Sequence, residues 1–259
     1  MTDASELARA LFDARRDRKP IPPLSETVDG LTIADAYAVQ RAFVERLRDG
    51  NDTPVVGYKL GLTSKPMQEL LGVDQPDFGP VLRSMVHDDG AALAVDDLIQ
   101  PKIEAEVGLV LDRDLRGPGV TTWQAASAVG GAIAVLEVVD SRIEDWRITI
   151  VDTIADLASS AAIVMAPRVV PVAGIDLRTI GMVIRSGGRV QATGAGAAAM
   201  GDPAAAVAWL ANTLATFDVA LTAGDVIMTG ALHAAFPVAA GDVIRADIDR
   251  LGSVTARFV

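Results

Sequence analysis

The sequence contains no cysteine and only two histidines, His87 and His233, among its 259 residues. The missing thiols exclude disulfides, thiolate metal sites and cysteine nucleophiles. Zinc sites built on imidazole are not expected either, because such sites draw on several histidine or cysteine ligands. Any metal in this chain would need oxygen ligands, which favours Mg²⁺ or Mn²⁺.

Positive charge is also scarce. The chain has 23 Lys and Arg residues against 34 Asp and Glu residues, a formal net charge of −11. A phosphate backbone requires a basic surface, so we expect no nucleic-acid partner. Hydrophobic residues make up 50% of the chain and charged residues 22%. This composition is typical of a globular protein rather than a disordered one.

Long apolar runs are missing as well. Residues 1–18 are polar and charged and contain no apolar signal core. No run of about 18 uncharged apolar residues is free of a Pro, Asn or His interruption, so no membrane span is expected. We therefore expect a soluble, cytoplasmic protein without a membrane partner.

The spacing of apolar residues predicts helices at the start of the chain and mainly strands after it. Helical spacing covers 5–16, and Thr32 can cap a second helix. A polar break follows at 49–52. We predict an N-terminal helical region over 1–52 and a catalytic mixed-β domain over 53–259.

The remainder of the chain mixes strands with fewer helices. The patterns predict strands over 55–63, 101–111, 132–140 and 148–151, and helices over 66–71, 121–129 and 202–217. The Gly/Ala tract at 194–199 is interpreted as a flexible connector. We find no βαβ alternation and no phosphate-binding glycine loop, which disfavours a Rossmann fold.

Glu104 and Glu106 lie on one face of the strand predicted over 101–111, whose other face is apolar. Two residues of strand rise roughly 6.6 Å, so both carboxylates point the same way and could share one cation. Like charges at that spacing are costly in an apolar neighbourhood unless something positive lies between them. A solvated strand face explains the pattern equally well.

Glu137 is a single acid within the apolar run 132–139. Buried acids are rarely unpaired, so Glu137 needs a cation or a hydrogen-bond donor, and a structural salt bridge is the simpler alternative. Together with Glu104 and Glu106 it gives three carboxylates on two strands. That set matches an oxygen-ligated divalent site completed by water or substrate.

Lys59 is the one cation in the apolar run 55–62. Its amine could reach the surface, or it could lie near the acidic cluster and neutralise charge or handle a proton. Asp77, in the turn-rich loop 74–79, could be a general base or a turn cap. A further polar group is interpreted from the residues alone as helix caps: Asp152, Asp156, Ser159 and Ser160.

Several phrases of the sequence resemble one known family over almost the whole chain. They are GYKLGLT (57–63), VDQPDFG (73–79), QPKIEAE (100–106), LEVVDSRI (136–143), VDTIAD (151–156), TGAL (229–232) and LGSV (251–254). Together they resemble the 2-keto-4-pentenoate (2-hydroxypenta-2,4-dienoate) hydratases. These enzymes are close relatives of the 4-oxalocrotonate decarboxylases within the fumarylacetoacetate hydrolase superfamily.

The resemblance implies an α+β fold with a mixed β-sheet roll or barrel of the fumarylacetoacetate hydrolase C-terminal type and flanking helices. It implies Mg²⁺ or Mn²⁺ held by Glu104, Glu106 and Glu137, with Lys59 nearby. Members of the family form homo-oligomers and act in the meta-cleavage degradation of aromatic compounds. A complex with the next enzyme of the pathway is a further expectation.

The implied activity is that of a hydro-lyase, which converts 2-hydroxypenta-2,4-dienoate to 4-hydroxy-2-oxopentanoate. Such a substrate can chelate the metal through its carboxylate and C2 oxygen, which stabilises an enolate. Ketonisation gives an α,β-unsaturated 2-oxo acid, to which water adds at C4, with protonation at C3. Lys59 and Asp77 are assigned the proton transfers, and Ser159 a hydrogen bond to substrate or water. Backbone contacts with the substrate are assigned to Gly61, Leu62, Thr229 and Gly230.

The sequence differs from the motifs of this family at three places. Leu157 stands where Asn is usual, Met165-Ala166 where Leu-Gly is common, and His233 where Gly often follows. These changes concern the distal part of the pocket, and therefore the substrate, more than the metal site.

Other functions stay open. A 4-oxalocrotonate decarboxylase would use the same chelate and would need a cation at the far end of its substrate, for which Arg83, Lys65 and Arg142 are candidates. A hydrolase of C–C bonds would need an acid–histidine pair that activates water and includes His233. The chain could also be a non-catalytic partner subunit of an active homologue.

Overall fold

The computed structural model describes residues 3–50, 52–65, 68–69 and 72–259. The helices with described bounds are α1 (Ala4–Asp17), α2 (Leu24–Thr27), α3 (Ile33–Arg48), α4 (Thr122–Ala128), α5 (Ile150–Ala155) and α6 (Pro203–Ala215). The helix predicted over 66–71 falls mostly outside the described residues. No helix in the described part of the chain is both long and apolar enough to cross a membrane.

Strands predominate after α3. They are β1 (Val55–Gly61), β2 (Asp77–Leu82), β3 (Val86–Asp88), β4 (Ala92–Leu93), β5 (Lys102–Leu111), β6 (Val129–Val139), β7 (Ser160–Met165), β8 (Val170–Pro171), β9 (Gly181–Ser186), β10 (Arg189–Ala195), β11 (Val226–Ala231), β12 (Phe236–Pro237), β13 (Val243–Ile248) and β14 (Gly252–Phe258).

Within the described residues, the strands form two mixed sheets. The larger has the order β2-β1-β11-β5-β6-β7-β3, with β12 added to β5 and β8 to β6; the smaller has the order β10-β9-β13-β14-β4. Pairing is mostly antiparallel, but β1–β11, β3–β7 and β4–β14 are parallel. β13 and β14 also contact β6. The predicted α+β fold with a mixed sheet and flanking helices is therefore confirmed.

β5 and β6 form the centre of the larger sheet. Their antiparallel register places Glu104 opposite Glu137. Almost every residue of β6 is buried, as expected for a continuous apolar strand covered on both faces. The pairing brings the three predicted acids to one region of the sheet.

The N-terminal helices pack on this sheet through α3. Thr32 caps α3 in a reciprocal box with Asp35, as the sequence predicts. The buried amide of Gln40 donates to the carbonyl oxygens of Phe78 (2.8 Å) and Ile154 (2.7 Å). These bonds join α3 to β2 and α5. The division of the chain at 52/53 stays a prediction.

Two sequence predictions about local structure are wrong. Residues 148–151 do not form a strand, because α5 begins at Ile150. Its start is fixed by Asp152, whose Oδ2 accepts from the backbone N–H of Thr149 (2.8 Å), and this capping signal outweighs the β-branched residues. The tract 194–199 is not a loose connector either, since β10 runs to Ala195.

A turn with left-handed backbone follows α5. Leu157, Ala158 and Ser159 have φ values of 57°, 49° and 58°, a region that costs roughly 1–2 kcal/mol per residue without glycine. Buried Arg142 holds both ends of this turn. Its side chain donates to the carboxylate of Asp156 and to the carbonyl oxygen of Ser160 (3.0 Å).

The turn lies directly against β2. A Cβ atom on Gly79 would be 2.5 Å from the carbonyl oxygen of Leu157, which is closer than such atoms can approach. Glycine at this position therefore sets how near the turn can come to β1 and β2, where Lys59 pairs with Gly79.

The substitution Gly79→Ala should lower the free energy of unfolding by about 1–3 kcal/mol, because the added methyl group must displace backbone. Urea unfolding followed by circular dichroism measures this change. Gly181→Ala is the matched control, since Gly181 has ordinary φ and no atom within 4 Å of a built Cβ. Equal unfolding midpoints for the two variants would contradict the close approach.

Candidate metal centre

Three carboxylates converge at the centre of the larger sheet. Each of Glu104, Glu106 and Glu137 offers an oxygen, and these oxygens lie within 4.8 Å of one another. Glu106 and Glu137 are fully buried and Glu104 is half-buried. The strand register produces the cluster, because Glu104 faces Glu137 across β5 and β6 while Glu106 follows two residues later on the same face.

Three of the six carboxylate oxygens are buried without a hydrogen-bond donor from the described part of the chain. Glu106 Oε2 accepts from the backbone N–H of Gly230 (2.9 Å). Glu106 Oε1 and both oxygens of Glu137 have no hydrogen-bond partner among the described residues. Burial and mutual repulsion raise the pKa of Glu104 to about 7 and raise the pKa of Glu106 well above its usual value. Unpaired buried acids of this kind fit a bound cation.

Lys59 projects from β1 into this cluster. Its side chain is 4% exposed, its Nζ donates to the carbonyl oxygen of Ala158 (2.9 Å) and lies 3.4 Å from Glu137 Oε2. Burial alone would lower the pKa of Lys59, but the surrounding carboxylates, Glu137 foremost, outweigh it and the pKa is raised. Of the two interpretations left open by the sequence, the structure shows the lysine inside the acidic cluster.

Asp77 is the fourth acid near Lys59 and is fully buried. Its Oδ2 accepts from the hydroxyl of Thr153 (2.9 Å), whereas Oδ1 has no partner among the described side chains and backbone. Burial raises the pKa of Asp77, and the charge of Lys59 opposes this in part. A Cβ on Gly61 would lie 2.2 Å from Asp77 Oδ1, so glycine at 61 leaves room for the carboxylate.

Ser159 lies in the left-handed turn beside Ala158, whose carbonyl oxygen binds Lys59. The Ser159 hydroxyl is buried and has no hydrogen-bond partner within the described structure. The same turn therefore fixes the ammonium group and supplies a free hydroxyl. Leu157, one of the departures from the family phrases, is fully buried in this turn.

The four residues predicted to contact substrate through their backbones lie on two adjoining segments. Gly230 has φ 111°, and a Cβ there would be 1.9 Å from Thr63 Oγ1, so the two segments touch. Thr229 is fully buried and its hydroxyl donates to the carbonyl oxygen of Val107 (3.0 Å). Leu62 has a left-handed backbone, and its carbonyl oxygen accepts from Gln68.

Sequence reasoning did not single out Thr153, Thr63 or Ala158. Thr153 precedes the turn by a few residues and falls within the phrase VDTIAD, but nothing in the pattern links it to Asp77. Ala158 contributes only a carbonyl oxygen, which no residue type signals. Asp152 and Asp156 are structural, since they cap α5 and bind Arg142, respectively.

His233 does not offer a free ring nitrogen. Its Nε2 accepts from the backbone N–H of Ala105 (2.9 Å), and its Nδ1 lies 2.7 Å from the carbonyl oxygen of Ala234. An acid–histidine pair that activates water would need one of these nitrogens. The geometry therefore does not support the hydrolase alternative.

Comparison with known proteins agrees with this architecture. The family described as "Fumarylacetoacetate (FAA) hydrolase C-terminal" matches residues 36–259. A 2-keto-4-pentenoate hydratase of Burkholderia vietnamiensis (strain G4 / LMG 22486) is 45% identical over 98% of this chain and 97% of its own. A 2-hydroxyhexa-2,4-dienoate hydratase of Comamonas testosteroni is 40% identical over 96% of this chain and 94% of its own.

A solved structure is similar along nearly the whole length. The 4-oxalocrotonate decarboxylase of Pseudomonas putida G7, complexed with magnesium and adipate, has a TM-score of 0.95 and 37% identity, and the match covers 99% of this chain and 97% of that one. The sheet order, the cluster of acids and these similarities lead to one conclusion: the chain belongs to the fumarylacetoacetate hydrolase family, through its C-terminal type of domain.

Proposed function

We propose that this protein is a divalent-metal-dependent hydratase that adds water to 2-hydroxypenta-2,4-dienoate (2-keto-4-pentenoate) and gives 4-hydroxy-2-oxopentanoate in meta-cleavage degradation of aromatic compounds. The observation that carries the proposal is the cluster of three carboxylates with unpaired oxygens beside Lys59. Relatives named as hydratases, at 40% and 45% identity over nearly full length, support the substrate class.

Glu104, Glu106 and Glu137 would hold Mg²⁺ or Mn²⁺, since hard cations prefer carboxylate oxygens. When bound, such a cation supplies a Lewis acid that stabilises negative charge on a 2-oxo acid. The N–H of Gly230 keeps the Glu106 carboxylate in one orientation. Lys59 offsets part of the repulsion among the acids through its contact with Glu137.

Ketonisation first moves the enol proton from the C2 oxygen to C5 and gives an α,β-unsaturated 2-oxo acid. Hydration then adds the water oxygen at C4, delivers a proton to C3 and removes one from the attacking water. Asp77 can hold a proton, because burial raises its pKa and Oδ1 has no protein partner in the described structure. Lys59 donates hydrogen bonds and positive charge, and the hydroxyl of Ser159 is free to bind substrate or water. Backbone contacts to the substrate are proposed for Gly61, Leu62, Thr229 and Gly230.

A decarboxylase acting on 4-oxalocrotonate is the second candidate, because of the similarity to the Pseudomonas putida G7 enzyme. It would need a cation for the distal carboxylate of its substrate. Arg142 is buried against Asp156, Arg83 donates to the carbonyl oxygen of Val86, and Lys65 binds Gln68. Because each of these cations already has a partner, we favour the hydratase.

Further proposals concern the location of the protein in the cell, its assembly and its division into domains. Cytoplasmic location and assembly into a homo-oligomer, with contact to the next enzyme of the pathway, are expected from the resemblance. Trp123, whose side chain is 76% exposed, is an apolar residue that an interface between copies of the chain would bury. We also propose that the chain divides into an N-terminal helical region, 1–52, and a catalytic mixed-β domain, 53–259.

The purified protein with Mg²⁺ should convert 2-hydroxypenta-2,4-dienoate to 4-hydroxy-2-oxopentanoate and should release little CO₂ from 4-oxalocrotonate. Loss of substrate absorbance, product chromatography and CO₂ detection measure both reactions. Chelation by EDTA should abolish turnover, and added Mg²⁺ should restore it. Rapid CO₂ release would favour the decarboxylase, and no turnover of either substrate would favour a non-catalytic partner subunit.

Glu106→Gln should weaken Mn²⁺ binding by at least ~100-fold and abolish hydration, since it removes one ligand charge while retaining side-chain size. Isothermal titration calorimetry with Mn²⁺ measures the affinity in the absence of substrate. Glu45→Gln, at an exposed position of α3, is the control and should bind as the wild type does. Unchanged metal content and activity in Glu106→Gln would refute the metal-centred proposal.

Asp77→Asn should lower kcat by ~10²–10⁴-fold while Mn²⁺ affinity stays within about threefold of wild type, because Asp77 is proposed to move a proton rather than hold the metal. Steady-state kinetics and calorimetry separate the two effects. Thr153→Val removes the hydroxyl that binds Asp77 Oδ2 and should cause a smaller loss of kcat. A fully active Asp77→Asn enzyme would exclude this carboxylate from the reaction.

A further inference from the structure

β5 carries Glu104 and Glu106. On the edge away from β6, its pairing with β11 is irregular. β11 pairs with β5 at Met228–Gly108 and again at Ala231–Glu106, with a register shift between the two. Thr229 and Gly230 of β11 thus lie opposite the single residue Val107 of β5. Pairing resumes only at Phe236, opposite Ile103. The bulge interrupts the ordinary ladder at Val107, and the loop between β11 and β12 leaves Glu104 and Ala105 without ladder partners among the described strands on this edge.

Two side chains and one loop amide replace the missing ladder bonds. The hydroxyl of Thr229 donates to the carbonyl oxygen of Val107 (3.0 Å). The N–H of Leu232 donates to the carbonyl oxygen of Ala105 (3.0 Å). The N–H of Ala105 donates to His233 Nε2 (2.9 Å). Ala105 is fully buried, so its N–H would be costly to leave without an acceptor.

This arrangement fixes the protonation of His233. A backbone N–H can only donate, so Nε2 must carry a lone pair and the ring proton must be on Nδ1. Nδ1 then donates to the carbonyl oxygen of Ala234, 2.7 Å away. Burial lowers the pKa of His233, in agreement with a neutral ring.

The bulge has a consequence for the acid cluster. It turns the N–H of Gly230 out of the ladder and toward Glu106 Oε2 (2.9 Å). Ala105, which His233 holds, lies between Glu104 and Glu106 in β5. The segment 229–233 therefore binds both the backbone of β5 and one of its carboxylates.

We propose that His233 is a positioning residue for the metal-binding carboxylates: its neutral imidazole serves as the acceptor that the interrupted strand cannot provide, and it fixes β5 between Glu104 and Glu106. This inference rests on the proposed metal site. His233 acts through Ala105 and takes no part in proton transfer.

The first test compares two substitutions of His233 by calorimetry with Mn²⁺ alone. His233→Leu removes the acceptor and should weaken Mn²⁺ binding ~10-fold or more, the effect expected when support for a ligand is lost. His233→Gln can place an amide oxygen near the position of Nε2 and should retain affinity within about threefold. His87→Gln, at the other histidine, should match wild type.

The second test uses the wild-type protein and so does not depend on the folding of a variant. Solid-state NMR of protein labelled with ¹⁵N at histidine gives two sets of ring signals, and His87→Gln assigns them. The His233 ring should be protonated at Nδ1 and unprotonated at Nε2. Addition of Mg²⁺ should shift the His233 Nε2 signal and leave His87, on β3, unchanged.

The outcomes separate this role from the proposed function. Absence of Mn²⁺ binding by the wild type would overturn both. Three results would overturn the positioning role alone. They are wild-type Mn²⁺ affinity in His233→Leu, a proton on Nε2 of His233, and a His233 Nε2 signal that does not shift when Mg²⁺ is added. Weakened binding in His233→Leu with recovery in His233→Gln would support it.

Discussion

Repulsion among buried carboxylates governs this structure. Glu106 and Glu137 are fully buried, Glu104 is adjacent, and three of their oxygens find no donor within the described structure. Lys59 supplies one positive charge against three acids in an apolar surrounding, so the proposed divalent cation would complete the charge balance. The strand register brings the acids together, the N–H of Gly230 donates to Glu106, and Lys59 lies beside Glu137, so all three features act on this repulsion.

The support for that centre comes from irregular backbone at two places. The left-handed turn at 157–159 holds Lys59 through the carbonyl oxygen of Ala158, and Arg142 fixes its ends. The bulge in β11 directs Gly230 to Glu106. Both features are costly in themselves and occur where side chains must be held accurately, as is common at functional sites.

The same centre suits more than one reaction of 2-oxo acids. A chelating metal stabilises an enolate whether water is added or a carboxylate is lost, so Glu104, Glu106 and Glu137 do not distinguish the two chemistries. Groups at the far end of the pocket make the difference. The three cations considered for that role, Arg83, Lys65 and Arg142, already bind protein partners, which supports the proposal of hydration beside the sequence similarity.

The sequence by itself determined the class of metal, the pair Glu104 and Glu106 on one strand face, and the helix cap at Thr32. These features depend on composition and on periods of two to four residues. The tertiary structure alone decided that Glu137 lies opposite Glu104 and that Lys59 points inward. It also decided that Ala158 binds Lys59, that Thr153 binds Asp77, and that His233 binds the backbone of Ala105. Those contacts join segments far apart in the chain and use backbone atoms, which no local pattern of side chains encodes.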